Sequence, residues 1–310
     1  MLMKINNTIY SASTINFGIN DIADRREARK VLLCTPDHFD IVDVKNPYMN
    51  EQAGSLDKVK SQIQWFDLKK TYKRLQEKGI LEEVVTINGV EGCEDMVFCA
   101  NQTFPWTDNE GNKTVIMSKM KHTSRQREVI HFENFFKKQR YKIAHLKKTN
   151  SFEGMGDAIP HFGKRLLYGG YGHRTDLGAY HEISELLQMP IVPLELPNPK
   201  FYHLDTCFLP LDQYNVMLCK EAFTNEGIKI IHSLFKNIFP VSEKEAGKTF
   251  CLNAHVINDQ MTGKKAAILQ QGSVEAKKIL KENGFEIIET DTSEYMKSGG
   301  SVFCMKMMFY

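Results

Sequence analysis

The last third of the chain has a recurring order of secondary-structure elements, which restricts the fold to a mixed α/β class. Residues 250–257 predict a strand, and a Thr-Gly turn leads into a second strand at 266–270. A serine-capped helix over 273–283 follows, and a third strand at 285–289 completes the group. The predicted unit is therefore strand, strand, helix, strand.

The preceding segment shows the same order of elements. Strands are predicted at 201–208 and 215–219, and a helix at 224–236. The residues themselves do not repeat, but the order of elements does. No long Pro/Gly/Ser linker divides the chain, and the proline-rich stretch at 190–199 is interpreted as a connection between units.

The N-terminal part adds a helix and two strands. We expect strands at 31–34 and 83–87, with a helix between them that is capped by Ser55 and ended by Gly79. Apolar residues at helical spacing predict its buried face; they are Leu56, Val59, Ile63, Phe66 and Tyr72. Residues 1–30 are polar and poorly patterned, so we interpret them as an N-terminal extension and 31–310 as one catalytic domain.

Composition excludes several classes of protein. A formal net charge of +2 gives no electrostatic reason to expect nucleic acid or an anionic membrane as a partner. The first residues lack the apolar core of a signal peptide, and no run of about 18 apolar residues predicts a membrane span. The seven cysteines include no C-x-x-C pair, which favours free thiols in a reducing cytoplasm. We therefore expect a cytoplasmic protein.

Cys304 is the candidate nucleophile. It ends the sequence Gly-Gly-Ser-Val-Phe-Cys at 299–304, where the glycine pair permits close approach of the backbone to a ligand. A thiol attacks as its thiolate, which a nearby cation or protonated base favours. Since Val302, Phe303 and Met305 are apolar, a buried cysteine on a C-terminal strand explains the same pattern.

A histidine and a carboxylate are predicted on one strand face. Alternation along 201–206 places His203 and Asp205 on the same side, and such a pair is typical of general acid–base catalysis. A solvated polar face is the alternative.

Two carboxylates, Glu153 and Asp157, flank Gly-Met-Gly. The glycines indicate a sharp backbone path that would bring two anions close to a planar guanidinium. A calcium loop or a plain acidic turn are the alternatives, and the calcium loop lacks the remaining ligands of its pattern.

Further candidates lie on loops. Arg174 follows the glycine-rich stretch 169–172 and is suited to binding a carboxylate in a bidentate manner, whereas no nucleotide-binding pattern is present. The segment 95–101 predicts a short buried strand that begins with Asp95, contains Phe98 and ends with Asn101.

Taken in this order, the motifs resemble those of the guanidino-group-modifying superfamily of pentein fold, from about residue 34 to 305. The superfamily includes arginine deiminases, dimethylarginine hydrolases and amidinotransferases. The segments at 34–39, 46–49, 95–101 and 201–208 are most similar to the arginine dihydrolase branch, whose members convert arginine into ornithine, carbon dioxide and ammonia. The resemblance implies a single domain of five strand–strand–helix–strand units with pseudo-fivefold symmetry.

The resemblance also implies roles for residues. Cys304 would attack the guanidinium carbon and His203 would transfer protons, with a thiouronium as the covalent intermediate. Glu153 and Asp205 would hold the guanidinium, and Asn101 would occupy a position that is aspartate in the deiminases. The remaining expected substrate contacts are Asn46, Asp95, Phe98, Arg125, Asp157 and Arg174, with Arg174 and Arg125 on the α-carboxylate. No metal or organic cofactor is implied.

Other members of the same superfamily give the alternatives. A deiminase, a methylarginine or citrulline hydrolase, or an amidinotransferase would use the same chemical groups, and a non-enzymatic binding protein shares the fold. We also propose that an amide at Asn101 retains a neutral ureido product for a second attack, because it offers both a donor and an acceptor. The sequence does not predict the oligomeric state.

Overall fold

The computed structural model describes residues 10–11, 13–259 and 262–310. Its strands are short. They are β1 Lys30–Cys34, β2 Glu83–Ile87, β3 Thr103–Thr107, β4 Lys113–Met117, β5 Lys142–His145, β6 Ala158–Pro160, β7 Leu167–Tyr171, β8 Ile191–Glu195, β9 Phe208–Pro210, β10 Asn215–Leu218, β11 Asn237–Pro240, β12 His255–Asp259, β13 Lys264–Gln270, β14 Glu286–Thr290 and β15 Met307–Phe309.

The α-helices of the described residues lie mostly between the strands. They are α1 Lys58–Glu77, α2 Thr123–Gln126, α3 Val129–Lys138, α4 Gly154–Asp157, α5 Leu177–Leu187, α6 Asn225–Leu234, α7 Glu243–Thr249, α8 Glu275–Glu282 and α9 Ser293–Met296. No helix in this part of the chain is both long and apolar enough to cross a membrane.

The described strands form five sheets of three, and all five have the same design. The orders are β15-β1-β2, β3-β4-β5, β6-β7-β8, β9-β10-β11 and β12-β13-β14. In each sheet the first strand is antiparallel to the middle one, which is parallel to the last. A helical crossover joins each parallel pair, as parallel strands require. The mixed α/β class is confirmed, and the sheets are consistent with five strand–strand–helix–strand units.

One sheet joins the two ends of the chain. Strand β15 pairs with β1, so that Met308 lies opposite Val31. Along β1, Val31 and Leu33 enter one apolar cluster, while Leu32 and Cys34 enter another. Because both faces of this strand are buried, its sequence is a continuous apolar run without alternation.

The buried face of α1 differs from the predicted one. The helix begins after Asp57, whose carboxylate accepts a hydrogen bond from Lys60 N, and not after Ser55. Trp65, Leu68, Tyr72 and Leu75 are buried, whereas three residues of the predicted stripe, Val59, Ile63 and Phe66, are exposed. The prediction was wrong because two apolar stripes share this helix, and spacing alone does not say which one packs.

The described part of the segment 1–30 is packed against the domain. Tyr10, Phe17, Ile19 and Ile22 are buried in the same apolar cluster as Tyr168. Asp24 forms a β-bridge with Lys164. Residues 1–9 and 12, which belong to the predicted extension, lie outside the described residues.

Three segments predicted as strands are turns. Residues 95–101 contain no strand, residues 204–206 form a single 3-10 turn before β9, and residues 251–253 are a turn before β12. His203 and Asp205 therefore do not share a strand face as alternation predicted. These apolar turns are buried, so their composition matches that of a strand although their backbone does not.

Candidate active site

The candidate site lies at the starts of the five antiparallel edge strands, β3, β6, β9, β12 and β15. Each strand is preceded within a few residues by a buried polar or nucleophilic side chain. These are Asn101, Glu153, Asp205, Asn253 and Cys304. A repeated unit thus delivers one functional residue from each sheet to the same end of the fold.

Cys304 lies in a turn just before β15 and is almost fully buried, with 2% of its surface exposed. Its Sγ is 3.2 Å from Asp205 Oδ2 and 3.2 Å from Asn253 Nδ2. The amide oxygen of Asn253 accepts hydrogen bonds from the backbone N–H groups of Ser301 and Cys304, at 3.0 and 3.2 Å. One asparagine therefore fixes both the backbone of the turn and the sulfur.

The glycine pair before Cys304 is required by close packing. Gly299 has φ of +86°, and a Cβ there would lie 2.7 Å from the Asn46 amide. A Cβ on Gly300 would lie 2.5 Å from the ring of Phe98. A side chain at either position would displace a wall of the site, so these glycines let the turn approach its neighbours.

The thiol and its carboxylate share an electrostatic environment that favours their neutral forms. Burial raises the pKa of Cys304 well above its usual value, and the adjacent Asp205 carboxylate raises it further. Burial also raises the pKa of Asp205 to about 7, although its contact with Cys304 and the charge of Lys306 act in the opposite direction. A cation placed beside both groups would favour the thiolate and the carboxylate.

His203 is held by Glu153. Its Nε2 lies 2.7 Å from Glu153 Oε2, which also accepts a hydrogen bond from Arg174 at 2.9 Å. The second carboxylate oxygen accepts from the backbone N–H of Lys121 at 3.0 Å. The imidazole is therefore fixed through a carboxylate that is itself held on both oxygens.

The protonation of this pair follows from burial and charge. Burial alone would raise the pKa of Glu153, but Arg174 and His203 outweigh it and the pKa is lowered. Burial lowers the pKa of His203 to about 4, since Glu153 offsets it only in part and Arg174 and Arg125 add to it. At neutral pH the imidazole is therefore uncharged and able to accept a proton.

Asp157 does not line the cavity of the candidate site and, unlike Glu153 and Asp205, makes no side-chain hydrogen bond to a residue that does. Its two carboxylate oxygens accept hydrogen bonds from Leu204 N at 3.0 Å and from Thr175 Oγ1 at 2.7 Å. Burial raises its pKa well above the usual value. The two carboxylates of the Glu-Gly-Met-Gly-Asp segment thus point to different partners, and Asp157 anchors the turn that carries His203.

Arg125 and Arg174 are bound to protein groups in this structure. Arg125 donates to Glu128 at 3.1 Å, to Asn101 Oδ1 at 3.0 Å and to the Asp95 carbonyl at 3.2 Å. Arg174 donates to Glu153 and to the carbonyl of Lys45, and its guanidinium lies 4.7 Å from the ring of Tyr202. Both side chains line the cavity, but they also hold two of its candidate functional groups, Glu153 and Asn101.

These side chains enclose a cavity of about 20 Å³. Most of the residues expected from sequence line it or contact its lining. The lining residues are Lys45, Asn46, Met49, Asp95, Phe98, Asn101, Arg125, Arg174, Tyr202, His203, Ser298, Gly300 and Cys304. Glu153 and Asp205 stand behind this wall, in contact with His203 and Cys304.

Three buried polar atoms of this site have no hydrogen-bond partner among the described residues. They are Asn101 Nδ2, His203 Nδ1 and Asp205 Oδ1. Unpaired buried polar groups carry a cost in stability, and they concentrate where a ligand supplies the missing partners. Within the same residues, no group of three His, Cys, Asp or Glu side chains is arranged to hold a metal ion.

The sequence interpretation missed Lys45 and Asn253. Lys45 Nζ lies 2.9 Å from Asp95 Oδ2, so the cavity wall contains a buried ion pair. Asn253 had a signal in the spacing of the motifs. Asp205 and Cys304 are 99 residues apart, and Asn253 lies 48 residues from one and 51 from the other, where a unit of about fifty residues would place the missing functional side chain.

Comparison with known proteins defines the class to which this fold and site belong. A family model described as N,N dimethylarginine dimethylhydrolase, eukaryotic, matches residues 35–310. The chain belongs to this family, within the pentein superfamily of guanidino-group hydrolases, in which a Cys-His-Glu mechanism is characteristic.

Individual relatives fall into two groups. The bifunctional arginine dihydrolase/ornithine cyclodeaminase ArgZ of Synechocystis is 31% identical over 281 residues, which cover 90% of this chain and 37% of ArgZ. The N(G),N(G)-dimethylarginine dimethylaminohydrolase of Mycobacterium tuberculosis is 30% identical over 276 residues, covering 89% of this chain and 84% of that protein. The chain thus spans little more than a third of the bifunctional relative.

The fold is also that of a solved relative. The N-terminal domain of ArgZ, an arginine dihydrolase, has been solved bound to its substrate. It superposes with a TM-score of 0.81 at 30% sequence identity, covering 90% of this chain and 97% of that domain. A variant of the same domain has been solved covalently bound to a reaction intermediate.

Proposed function

We propose that the protein is an arginine dihydrolase, which converts arginine and two waters into ornithine, carbon dioxide and two ammonia molecules. One observation carries the proposal: Cys304, paired with Asp205, and His203, paired with Glu153, line one small buried cavity together with Asn101. This set contains a nucleophile, a neutral base and two carboxylates, which are the groups needed to attack the carbon of a guanidinium.

The substrate itself would activate the thiol. In the free protein Cys304 is held protonated by burial and by Asp205. A guanidinium bound beside Asp205 places a positive charge next to both groups, which lowers both pKa values. The thiol proton can then pass to His203, which leaves a nucleophilic thiolate for the first attack.

The first half of the reaction forms and breaks one covalent adduct. Cys304 Sγ bonds to the guanidinium carbon, and one C–N bond breaks as His203 donates the proton that it took from the Cys304 thiol to the departing ammonia. The product of this step is a cationic thiouronium on Cys304. His203 then takes a proton from water, the water attacks the same carbon, and the thiolate leaves to give citrulline.

The second half would repeat the chemistry on the ureido carbon. Cys304 attacks again, ammonia leaves, and a thiocarbamate remains on the sulfur. Water releases the carbamic acid of ornithine, which loses carbon dioxide. This half requires that neutral citrulline stays bound after the first.

Asn101 supports retention of a neutral product. An arginine side chain is only a donor, so the Asn101 atom that faces Arg125 NH1 at 3.0 Å is the oxygen. The NH₂ group has no hydrogen-bond partner among the residues that the structure describes. The amide was expected to offer a ligand both a hydrogen-bond acceptor and a donor. Since its oxygen is occupied, only the NH₂ donor remains available. A donor suits the carbonyl oxygen of a ureido group and repels a guanidinium, whereas an aspartate would favour the cation.

Dimethylarginine hydrolysis is the second candidate, because the family model and the mycobacterial relative carry that description. It would use the same first half-reaction, with dimethylamine as the leaving group. A cavity of about 20 Å³ holds about one water, so the lining side chains must move for either substrate, and the volume does not separate the two candidates.

Two further proposals concern the bounds of the catalytic domain and the cellular compartment. Residues 31–310 form the catalytic domain, because all five edge strands and their functional residues fall within them. The protein acts in the cytoplasm, since its cysteines, all seven of them within the described residues, are free thiols.

A panel of substrates tests the proposal. The purified protein is incubated separately with arginine, citrulline, dimethylarginine and succinylarginine, and the products are identified by mass spectrometry. We expect ornithine from arginine, and little turnover of dimethylarginine. Citrulline as the final product would assign a deiminase, and preferential release of dimethylamine would assign the second candidate.

A further inference from the structure

A second and larger cavity lies on the other side of the catalytic turns. Its volume is about 230 Å³, and all five antiparallel edge strands contribute to its wall. Pro105 of β3, Ile159 of β6, Leu209 of β9, Val256 of β12 and Met308 of β15 are among its lining residues. We call it the axial cavity, since the five sheets share it.

The wall of the axial cavity is mainly apolar, but it contains one buried amine. Lys306 is 1% exposed and lines the cavity, with Nζ 3.4 Å from the centre of the Phe303 ring. Across the described ranges, the Nζ of Lys306 makes no hydrogen bond or ion pair. A buried ammonium without an anionic partner is costly, and burial lowers the pKa of Lys306 to about 7.

Most of the other charged groups of the wall have partners, and Arg26, which also lines the cavity, is exposed. Glu27 Oε1 accepts hydrogen bonds from Arg25 and from Gly163 N, each at 2.6 Å. Asp259 lies 3.8 Å from Arg29. His255 shares a hydrogen bond with Tyr72, and burial together with the charge of Lys306 lowers its pKa well below the usual value. Among the described residues of this wall, Lys306 is thus the buried cation that has no anion within ion-pair distance and that a ligand would meet.

We propose that the axial cavity binds a small organic anion with one carboxylate and a short apolar chain, and that its binding slows the reaction at Cys304. The carboxylate would accept hydrogen bonds from Lys306, and the chain would pack on Ile159, Leu209 and Phe303. A phosphate fits this wall poorly because it has no apolar surface to bury. An amino acid fits poorly as well, since its ammonium would face apolar side chains.

The effect on catalysis follows from the position of Lys306 in the wall between the two cavities. It comes two residues after Cys304, and its charge acts on both Asp205 and Cys304. That charge favours the carboxylate and the thiolate on the catalytic side. An anion bound to Lys306 would cancel most of this field, so the thiolate would form less readily while the arginine site stayed open.

Calorimetry with hexanoate and hexan-1-ol as probes tests the site. It measures binding without turnover, so its result does not depend on which substrate reacts with Cys304. We expect the wild-type protein to bind hexanoate, and Lys306→Met to lose about tenfold or more of that affinity while it keeps its affinity for the neutral alcohol. Val256→Phe retains the lysine but fills the cavity, and should lose both ligands.

Steady-state kinetics provides the second measurement. With arginine varied, hexanoate should lower kcat even at saturating arginine, and Lys306→Met should abolish this inhibition. Absence of hexanoate binding, equal affinity in Lys306→Met, or competition between hexanoate and arginine would each overturn the proposal. Competition would place hexanoate on an arginine of the active site instead.

Discussion

The five edge strands line the axial cavity, whereas the catalytic cavity is lined by the segments outside them, and the two cavities differ in almost every physical respect. The catalytic cavity, which is the one that Cys304 lines, has a volume of about 20 Å³. It is enclosed mainly by polar side chains that are hydrogen-bonded to one another. The axial cavity is about 230 Å³ and mainly apolar. Cavity volume therefore does not identify the proposed reactive site. In the catalytic cavity the side chains are fixed by neighbours, and such preorganisation leaves little open space.

The largest effect on turnover is expected when the thiol of Cys304, and no other thiol, is removed. Cys304→Ser should reduce turnover of arginine by at least about 10³-fold, because the hydroxyl is a far weaker nucleophile, while binding of arginine persists. Product release measured by mass spectrometry and arginine binding measured by calorimetry check the two halves. Cys219→Ser is the matched control, since its Sγ contacts Glu221 and lines neither cavity. Equal activity of Cys304→Ser and Cys219→Ser would show that the narrow cavity is not catalytic.

The next effect concerns the carboxylate that orients the base. Glu153→Gln keeps the shape but loses the charge that holds His203 and Arg174, so we expect kcat to fall about 10²-fold. Glu182→Gln is the control, because Glu182 also accepts several backbone hydrogen bonds, from residues 147–149, but lies away from both cavities. It should cost about 2 kcal/mol of stability and leave kcat within a few-fold. If Glu153→Gln behaves like Glu182→Gln, Glu153 has only a structural role.

A smaller effect changes the product without abolishing the reaction. Asn101→Asp would pair with Arg125 and present a carboxylate where the amide now presents a donor. We expect citrulline to accumulate to several times the amount of ornithine, because the neutral product is released before the second attack. The ratio of the two products during arginine turnover is the measurement. If ornithine is still the only product, the amide does not decide between one round and two.

The smallest expected effect is a shift in the pH dependence of kcat/KM, which would show that the two cavities are electrostatically linked. Asp205 has a pKa raised to about 7 in the fold, so below that pH it is protonated and binds a cation poorly. The value of kcat/KM for arginine should therefore rise with pH through about 7. Lys306 lowers the pKa of Asp205, so Lys306→Met should move this rise to higher pH, by less than about one unit. Lys277→Met, on the surface, should leave the profile in place. No movement in Lys306→Met would show that the two cavities are electrostatically separate.

Much of the fold could be predicted from the sequence, and the segments that were wrongly predicted as strands share a cause. Strands such as β1 and β2 were predicted within a residue because each is bounded by polar or glycine residues. The turns before β9 and β12 were predicted as strands because they are buried and apolar. Burial determines their composition, whereas hydrogen bonds between distant segments determine their backbone, and those contacts are not visible in local sequence.

The candidate catalytic residues were easier to recognise in the sequence than their partners. Cys304, His203 and Glu153 lie in short motifs in a fixed order, and the structure brings them together. Asn253 was missed because a single asparagine in an apolar stretch has no local signal, and only the spacing of the units indicates it. The engagement of Arg125 with Asn101 and Glu128 depends on the tertiary fold and could not be inferred from neighbouring residues.

The central claim is that Cys304 attacks the same carbon twice. The stoichiometry of arginine turnover tests this claim most directly. Arginine labelled with ¹³C at the guanidinium carbon and ¹⁵N at its two terminal nitrogens is given to the wild-type protein. The account predicts one labelled carbon dioxide and two labelled ammonium ions for each ornithine, with no lasting pool of citrulline. One labelled ammonium for each citrulline, with the labelled carbon retained in that product, would contradict it.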